Sequence, residues 1–161
     1  MRILAVDPGP LESAYVAYEG DRTVCPYTLA ILDCGKLLND NLLNEQFSRP
    51  YDHFAIEQIR GYGLRVGNEV FDTCVWVGRF MQSVDGSDVV LIPRKTIVTN
   101  LCGNSQAGDK FVRLAIMDRF GGAGSIGNKK QPGPLYGVTG DMWSALAVAL
   151  TFCDLRKAGQ I

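Results

Sequence analysis

Apolar and polar positions divide the chain into a first half of short apolar runs and a second half with helical repeats. The run from Ile3 to Val6 is continuous and ends at Asp7-Pro8-Gly9, which predicts a short strand buried on both faces. Further strands are predicted at 13–18, 27–34, 53–57 and 88–92, where apolar residues lie between turn signals. Because Glu19-Gly20-Asp21 supplies a turn, we expect the first three strands to form an antiparallel meander.

The helical part begins after the fourth predicted strand. A helix over 65–83 is predicted from apolar residues that recur at steps of three and four, and we expect them to face the core: Val66, Val70, Cys74, Val77 and Met81. A second helix over 107–120 would bury Phe111, Leu114, Ala115 and Met117 and end at Gly121-Gly122. The stretch 36–52 is polar, with one helical turn near Leu42. Residues 121–140 have the Gly and Pro content of a mobile loop, and the last helix, 141–156, is apolar almost all round and should be buried.

The length of 161 residues fits one α/β domain spanning residues 1–161. No apolar stretch is long enough to span a membrane and no signal peptide is visible, so we expect a cytoplasmic protein without a membrane partner. The five cysteines form no CxxC pair, which favours reduced core thiols over a zinc site or disulfides: Cys25, Cys34, Cys74, Cys102 and Cys153.

Charge is unevenly distributed although the net charge is only −1. Residues 1–59 contain four basic and nine acidic side chains, whereas residues 60–161 contain twelve basic and eight acidic ones. Basic residues in predicted loops and helix starts of the second part form a candidate phosphate-binding set: Arg60, Arg65, Arg94, Lys95, Lys110, Arg113, Lys129 and Lys130. A solvated surface explains any one of them equally well, but explains the whole set less well.

Three carboxylates lie in apolar surroundings: Asp7, Glu57 and Asp141. Desolvating such a group costs several kcal/mol unless a partner, often a metal ion, compensates it. Only a folded sheet could bring these distant residues together. The pattern therefore indicates a magnesium site of the kind used in two-metal phosphoryl transfer.

Four segments, at 3–9, 55–58, 92–94 with 109–110, and 143–151, resemble the RuvC-type Holliday-junction resolvases in order and spacing. The resemblance covers nearly the whole chain, and its short length is similar to that of bacteriophage resolvases. It implies a ribonuclease H-like fold with a mixed five-stranded sheet flanked by helices. It also implies a crossover junction endodeoxyribonuclease that cuts four-way DNA junctions.

The resemblance also implies roles for the acids. Two Mg²⁺ ions about 3.5 to 4 Å apart, with Mn²⁺ as a substitute, would be bridged by Asp7, with Glu57 holding one ion and Asp141 the other. The family has a further acid where this chain has Ser144, a poorer ligand that would act weakly or through water. Singly, Asp7 could cap a turn and Asp141 a helix, but neither alternative explains all three acids.

Other residues acquire expected roles from the same resemblance. Lys110 would lie near the scissile phosphate, with an ordinary solvated lysine as the alternative. Tyr62 would wedge between bases, flanked by Arg60 and Arg65, or would anchor its own loop. Because a four-way junction is two-fold symmetric, we expect a homodimer that pairs through the helix after Glu57, which also carries Phe71, Val75 and Trp76.

Two rival functions remain open. One is a ribonuclease H-like nuclease that processes RNA. The other is a junction-binding protein whose catalytic site has decayed at Ser144. A nucleotide-binding site of the actin or sugar-kinase type is disfavoured because the chain is too short for two such domains.

Overall fold

Five strands form one mixed sheet in the computed structural model, which describes residues 1–20, 30–61, 63, 65–84 and 89–161. The strands are β1 (Arg2–Asp7), β2 (Glu12–Glu19), β3 (Ala30–Leu38), β4 (His53–Gln58) and β5 (Val89–Pro93), in the spatial order β3-β2-β1-β4-β5. β2 is antiparallel to β1 and β3, whereas β1, β4 and β5 are parallel. The carboxyl ends of three adjacent strands therefore lie at one edge of the sheet.

The helices are α1 (Asn39–Glu45), α2 (Asn68–Ser83), α3 (Arg94–Cys102), α4 (Asp109–Arg119) and α5 (Met142–Lys157). One face of the sheet, which includes Ile3, Ala5 and Ala55, packs with α3, α4 and α5. The other face, which includes Leu4, Val6 and Ile56, packs with α1 and α2. This strict alternation along β1 and β4 confirms that both strands are buried on both sides.

The last helix is confirmed as a buried element. α5 has nine buried residues between Trp143 and Phe152 and packs on β1, β2 and β4. Its amino terminus is thereby fixed over the carboxyl ends of the central strands.

The helix predicted over 65–83 forms as α2, but the predicted buried face is only partly right, since Val77 alone of its predicted residues is fully buried. Val66, Cys74 and Met81 are exposed, and the buried residues are Thr73, Val77 and Phe80. Phe80 stacks on Phe47, with 4.8 Å between ring centroids. The large apolar area of an aromatic side chain explains why the helix turns this face inward.

The helix predicted over 107–120 forms as α4, again with a partly wrong face. Phe111 and Leu114 are 60% and 44% exposed, whereas Val112 and Ile116 are buried. α3 was not predicted at all. The segment 121–140 contains a 3₁₀ turn at Gly122–Ser125, and it is fastened to the core by the buried side chains of Leu135 and Val138.

The third strand is described from Ala30 to Leu38, so it runs into the stretch predicted to be polar. Residues 27–29 lie outside the described part of the chain. Of the cysteines, the four described are unpaired thiols, and Cys74 is exposed rather than part of the core. None of the helices within the described ranges is long and apolar enough to cross a lipid bilayer.

Candidate active site

Asp7 and Glu57 lie side by side where two parallel strands end. Val6 pairs with Ile56 across β1 and β4, and Asp7 and Glu57 are the next residue on each strand. In this register both side chains project from the sheet face covered by α5, like Ala5 and Ala55 two residues earlier. The prediction that the folded sheet unites these two acids is supported by this geometry.

Asp141 reaches the same place from above the sheet. It is the residue before the first turn of α5, and its backbone carbonyl accepts hydrogen bonds from the amides of Ser144 and Ala145. Its carboxylate makes no capping hydrogen bond to the helix. The alternative that Asp141 serves as an ordinary helix cap is therefore not what the structure shows.

The three acids interact electrostatically. The pKa of Asp7 is raised from its ordinary value of 3.8 to about 7, first by burial, then by the charges of Glu57 and Asp141. The charge of Arg94 and a hydrogen bond with the Ser144 side chain oppose this rise. The pKa of Glu57 is also raised by burial, with Arg94 opposing. Asp7 is thus the carboxyl group that feels the charges of both other acids.

Two cations stand among these acids. Arg94, the first residue of α3, contacts Glu57 at 3.4 Å and also pairs with Asp109 at the start of α4. Lys36, on β3, contacts Asp141 at 2.9 Å and Glu12 at 3.6 Å. Arg94 was expected to bind phosphate, whereas the structure places it against the carboxylates.

The acids have the chemistry that a divalent metal ion requires, namely hard oxygen ligands. Their mutual repulsion, recorded in the raised pKa of Asp7, is what a bound cation would relieve. In the described part of the chain, however, no three acidic, histidine or cysteine side chains already stand close enough to share an ion. Glu57 instead pairs with Arg94, and Asp141 pairs with Lys36.

A buried hydrogen-bond network fixes the turn that follows Asp7. The Gly9 amide donates to Ser13 Oγ at 3.1 Å, Ser13 donates to Asn39 Oδ1 at 2.6 Å, and Asn39 Nδ2 donates to the Gly9 carbonyl at 2.9 Å. A Cβ atom at Gly9 would lie 2.3 Å from the Glu12 carbonyl oxygen, so only glycine fits. This network holds the end of β1, and with it Asp7, in place.

Four of the predicted nucleic-acid contacts lie just after β4, on α3 or on α4. Arg60 and Lys95 line a groove of about 440 Å³ beside α3, together with Thr96, Thr99 and Asn100. Lys110 is exposed on the first turn of α4. Arg113, one turn later, stacks on Trp143 of α5, 4.8 Å from the ring centroid.

The other residues predicted to contact nucleic acid are Arg65, Lys129, Lys130 and Tyr62. Arg65 is exposed ahead of α2. Lys129 and Lys130 are exposed in a tight turn in which Asn128 Oδ1 accepts from the amides of Lys130 and Gln131. Tyr62 lies outside the described residues.

Sequence reasoning missed Lys36 and Asn39. Lys36 was assigned to an irregular polar stretch, yet it pairs with Ala14, which in turn pairs with Asp7. Lys36, Ala14, Asp7 and Glu57 therefore form one row across four strands. The alternation in β2, once aligned with β1, is the signal that could have found this row.

No protein-family profile matches the sequence, and no curated protein matches it significantly. Several solved structures match the fold of the chain. RuvC of Thermus thermophilus superposes with a TM-score of 0.66 at 18% identity, covering 99% of this chain and 98% of that one. RuvC of T. thermophilus in complex with Holliday junction substrate superposes with a TM-score of 0.70 at 16% identity, covering 99% of this chain and 97% of that one.

Fowlpox virus resolvase, in complex with substrate Holliday junction DNA, gives a TM-score of only 0.48 at 14% identity, over 96% and 97% of the two chains. That value is too low to support an argument. The likeness to RuvC is at low identity but spans both chains almost completely, and it agrees with the order of strands and helices described above. The chain thus has the ribonuclease H-like α/β fold of RuvC, a mixed five-stranded sheet flanked by helices.

Proposed function

We propose that this protein is a Mg²⁺-dependent, structure-selective endodeoxyribonuclease that resolves four-way DNA junctions. The observation that carries the proposal is the convergence of Glu57 and Asp141 on Asp7, at the carboxyl end of the central strand. The shared fold with RuvC, one structure of which contains a Holliday junction substrate, supports the choice of substrate. We place the reaction in the cytoplasm of a bacterium or of a phage-infected host.

Asp7 and Glu57 are the proposed ligands of one Mg²⁺ ion, and Asp141 is the carboxylate available for a second, with Ser144 acting weakly or through water. When bound, such ions activate a water molecule and neutralise charge on the phosphate, and Mn²⁺ would substitute. The protein's own part is to hold the carboxylates at the strand ends and to keep Asp7 away from bulk water. Lys110 is proposed to approach the scissile phosphate from the start of α4.

The proposed path of the DNA follows the exposed cations around this centre. Arg60 and Lys95 would contact phosphates along the groove beside α3, and Arg113 would do so near Trp143. Arg65, Lys129 and Lys130 would contact more distant phosphates. Base stacking by Tyr62 remains part of the proposal. Arg94 would reach the phosphate only by leaving Glu57.

A homodimer is proposed because cutting both strands of a two-fold symmetric junction calls for two sites. The described surface offers a matching feature on α2. Phe71 and Val75, one turn apart, are 60% and 62% exposed, and Met81 further along the helix is 39% exposed. Trp76, which was also expected at this surface, instead packs beside Phe80.

A junction-binding protein without strong cleavage activity is the second candidate. It is favoured by the two cations that already neutralise Asp141 and Glu57, and by the neutral hydroxyl of Ser144 beside Asp7. No described feature favours the RNA-processing alternative.

The experiment that tests the proposal compares a mobile four-way DNA junction with linear duplex DNA and structured RNA, each with Mg²⁺ and with EDTA. Paired, Mg²⁺-dependent cuts in the junction alone would support it. Junction binding without cleavage would favour the second candidate, and cleavage of RNA in preference to the junction would refute both.

A further inference from the structure

Lys36 lies in the row of residues that carries the proposed metal ligands. Asp7 pairs with Ala14 on β2, and Ala14 pairs with Lys36 on β3. Directly paired residues project from the same face of a sheet, so Lys36 stands two strands, roughly 10 Å, from Asp7 on the side covered by α5. Ala14 lies between them, and its small side chain is buried in the core under α5.

The ammonium group of Lys36 crosses towards α5. Its Nζ donates to Asp141 Oδ2 at 2.9 Å and lies 3.6 Å from Glu12 Oε2. The hydrogen bond and charge of Asp141 raise the pKa of Lys36, so the group stays charged at neutral pH. Lys36 thus places a permanent positive charge at Asp141.

A second metal ion would need Asp141, and the surroundings offer it little else. Ser144, one turn into α5, carries a neutral hydroxyl that interacts with Asp7. Glu57 is on the far side of Asp7 from Lys36 and contacts Arg94. The carboxylates on this side of the site are therefore Asp141 and Glu12, and the ammonium of Lys36 already pairs with both.

We infer that the Lys36 ammonium takes the place of a second divalent ion, so that each chain binds one divalent ion, at Asp7 and Glu57. This inference rests on the proposed function in that those two acids bind a metal, and it replaces the second ion proposed at Asp141 with the charge of Lys36. A lysine in this position neutralises the charge of Asp141 and offers hydrogen-bond donors to a phosphate oxygen, as a second ion would. Lys36 is a positioning residue for Asp141 in the protein without nucleic acid.

The test is the number of Mn²⁺ ions bound by the full chain, measured by calorimetry and by electron paramagnetic resonance without DNA. Wild type and Lys36→Arg, which keeps the charge, should each bind one ion. Lys36→Met should bind two, because Asp141 and Glu12 lose their cation. Lys157→Met, at the opposite end of α5 about 24 Å from Asp141, removes the same charge and should still bind one.

Two ions bound by wild type, or one ion bound by Lys36→Met, would overturn the inference while leaving the proposed nuclease intact. The wild-type count decides this even if Lys36→Met were to fold poorly. No ion bound by wild type would overturn the inference together with the proposed metal site.

Discussion

At the scale of single residues, the environment of Asp7 should lower the free energy of unfolding of the metal-free protein. Its carboxyl group is enclosed at the end of a buried strand and faces two other acids. Burial and like charges both disfavour the ionised form. The metal-free protein should therefore lose stability when this group ionises, and a bound cation should restore it.

The first prediction concerns pH. The pKa of Asp7 is about 7 when folded against an ordinary value of 3.8, so the folded protein binds more protons between these values. The free energy of unfolding should then fall as pH rises from about 4 to about 7 and level off above that. In EDTA, the free energy of unfolding of Asp7→Asn, relative to that of wild type, should rise by roughly 4 kcal/mol at most between pH 4 and pH 7.

Urea unfolding of both proteins at several pH values measures this difference, with Asp118→Asn, an exposed acid on α4, as the control. Because the charges of Glu57 and Asp7 act on each other, the difference between the two proteins reports the ionisation of Asp7 together with this repulsion. A difference between Asp7→Asn and wild type that does not change with pH would show that Asp7 is not buried among like charges.

The second prediction concerns Ser144. Ser144→Asp places a fourth carboxylate beside Asp7, so thermal stability in EDTA should fall while the stabilisation by added Mg²⁺ should grow. Ser144→Ala, which removes the hydroxyl without adding charge, is the control. Thermal melts with and without Mg²⁺ provide the measurement. If Ser144→Asp changed neither quantity, position 144 would lie outside the metal site.

The acids themselves could be predicted from the sequence because each interrupts or ends an apolar segment, a purely local signal. Their cationic partners could not. Lys36 meets Asp141 only because three strands align in one register, and Arg94 meets Glu57 only because α3 starts directly after β5. Both pairings are long-range consequences of topology.

At the scale of elements, α2 has two apolar faces. Thr73, Val77 and Phe80 pack against the sheet, while Phe71 and Val75 face outward. Exposed apolar side chains one turn apart on a long helix form the kind of surface that pairs with a second copy.

The third prediction tests this surface. Phe71→Glu should convert the proposed dimer into a monomer, because a charge would be buried at the contact. Phe111→Glu is a closely matched control, since Phe111 is a phenylalanine with the same 60% exposure on a different helix. Light scattering after size exclusion measures the mass. A wild-type monomer, or an equal effect of both variants, would exclude α2 as the dimer contact.

The fourth prediction concerns the turn that carries Lys129 and Lys130. If both contact phosphates, the double alanine variant should weaken junction binding and reduce the salt-dependence slope by roughly 0.9 for each lost contact. The control is Arg2→Ala/Arg49→Ala, which removes two exposed arginines outside the proposed path of the DNA. Filter binding across salt concentrations is the measurement, and an unchanged slope would mean that the turn points away from the DNA.

Elements with a clear period were predicted and those without one were not. β1, β4 and α5 follow directly from their apolar runs. α3 was missed because it is short and its buried residues, Ile97 and Val98, are adjacent rather than three or four apart. The faces of α2 and α4 were misjudged because their outward apolar residues, such as Phe71 and Phe111, resemble core residues in sequence.

At the scale of the whole molecule, the topology gathers distant residues at one edge. Parallel β1 and β4 bring Asp7 beside Glu57, and α5 returns Asp141 to the same edge from the other end of the chain. The turn network around Asn39 and the packing of α5 make this edge rigid. The proposed metal-dependent hydrolysis requires acids gathered in this way at one edge.

The most direct measurement is cleavage and binding of one four-way DNA junction by wild type and Asp7→Asn, side by side, in Mg²⁺. The account predicts that Asp7→Asn abolishes cleavage while the dissociation constant for the junction changes little, because binding depends on the basic side chains. Undiminished Mg²⁺-dependent cleavage by pure Asp7→Asn would contradict the claim that cleavage depends on the acids gathered at Asp7.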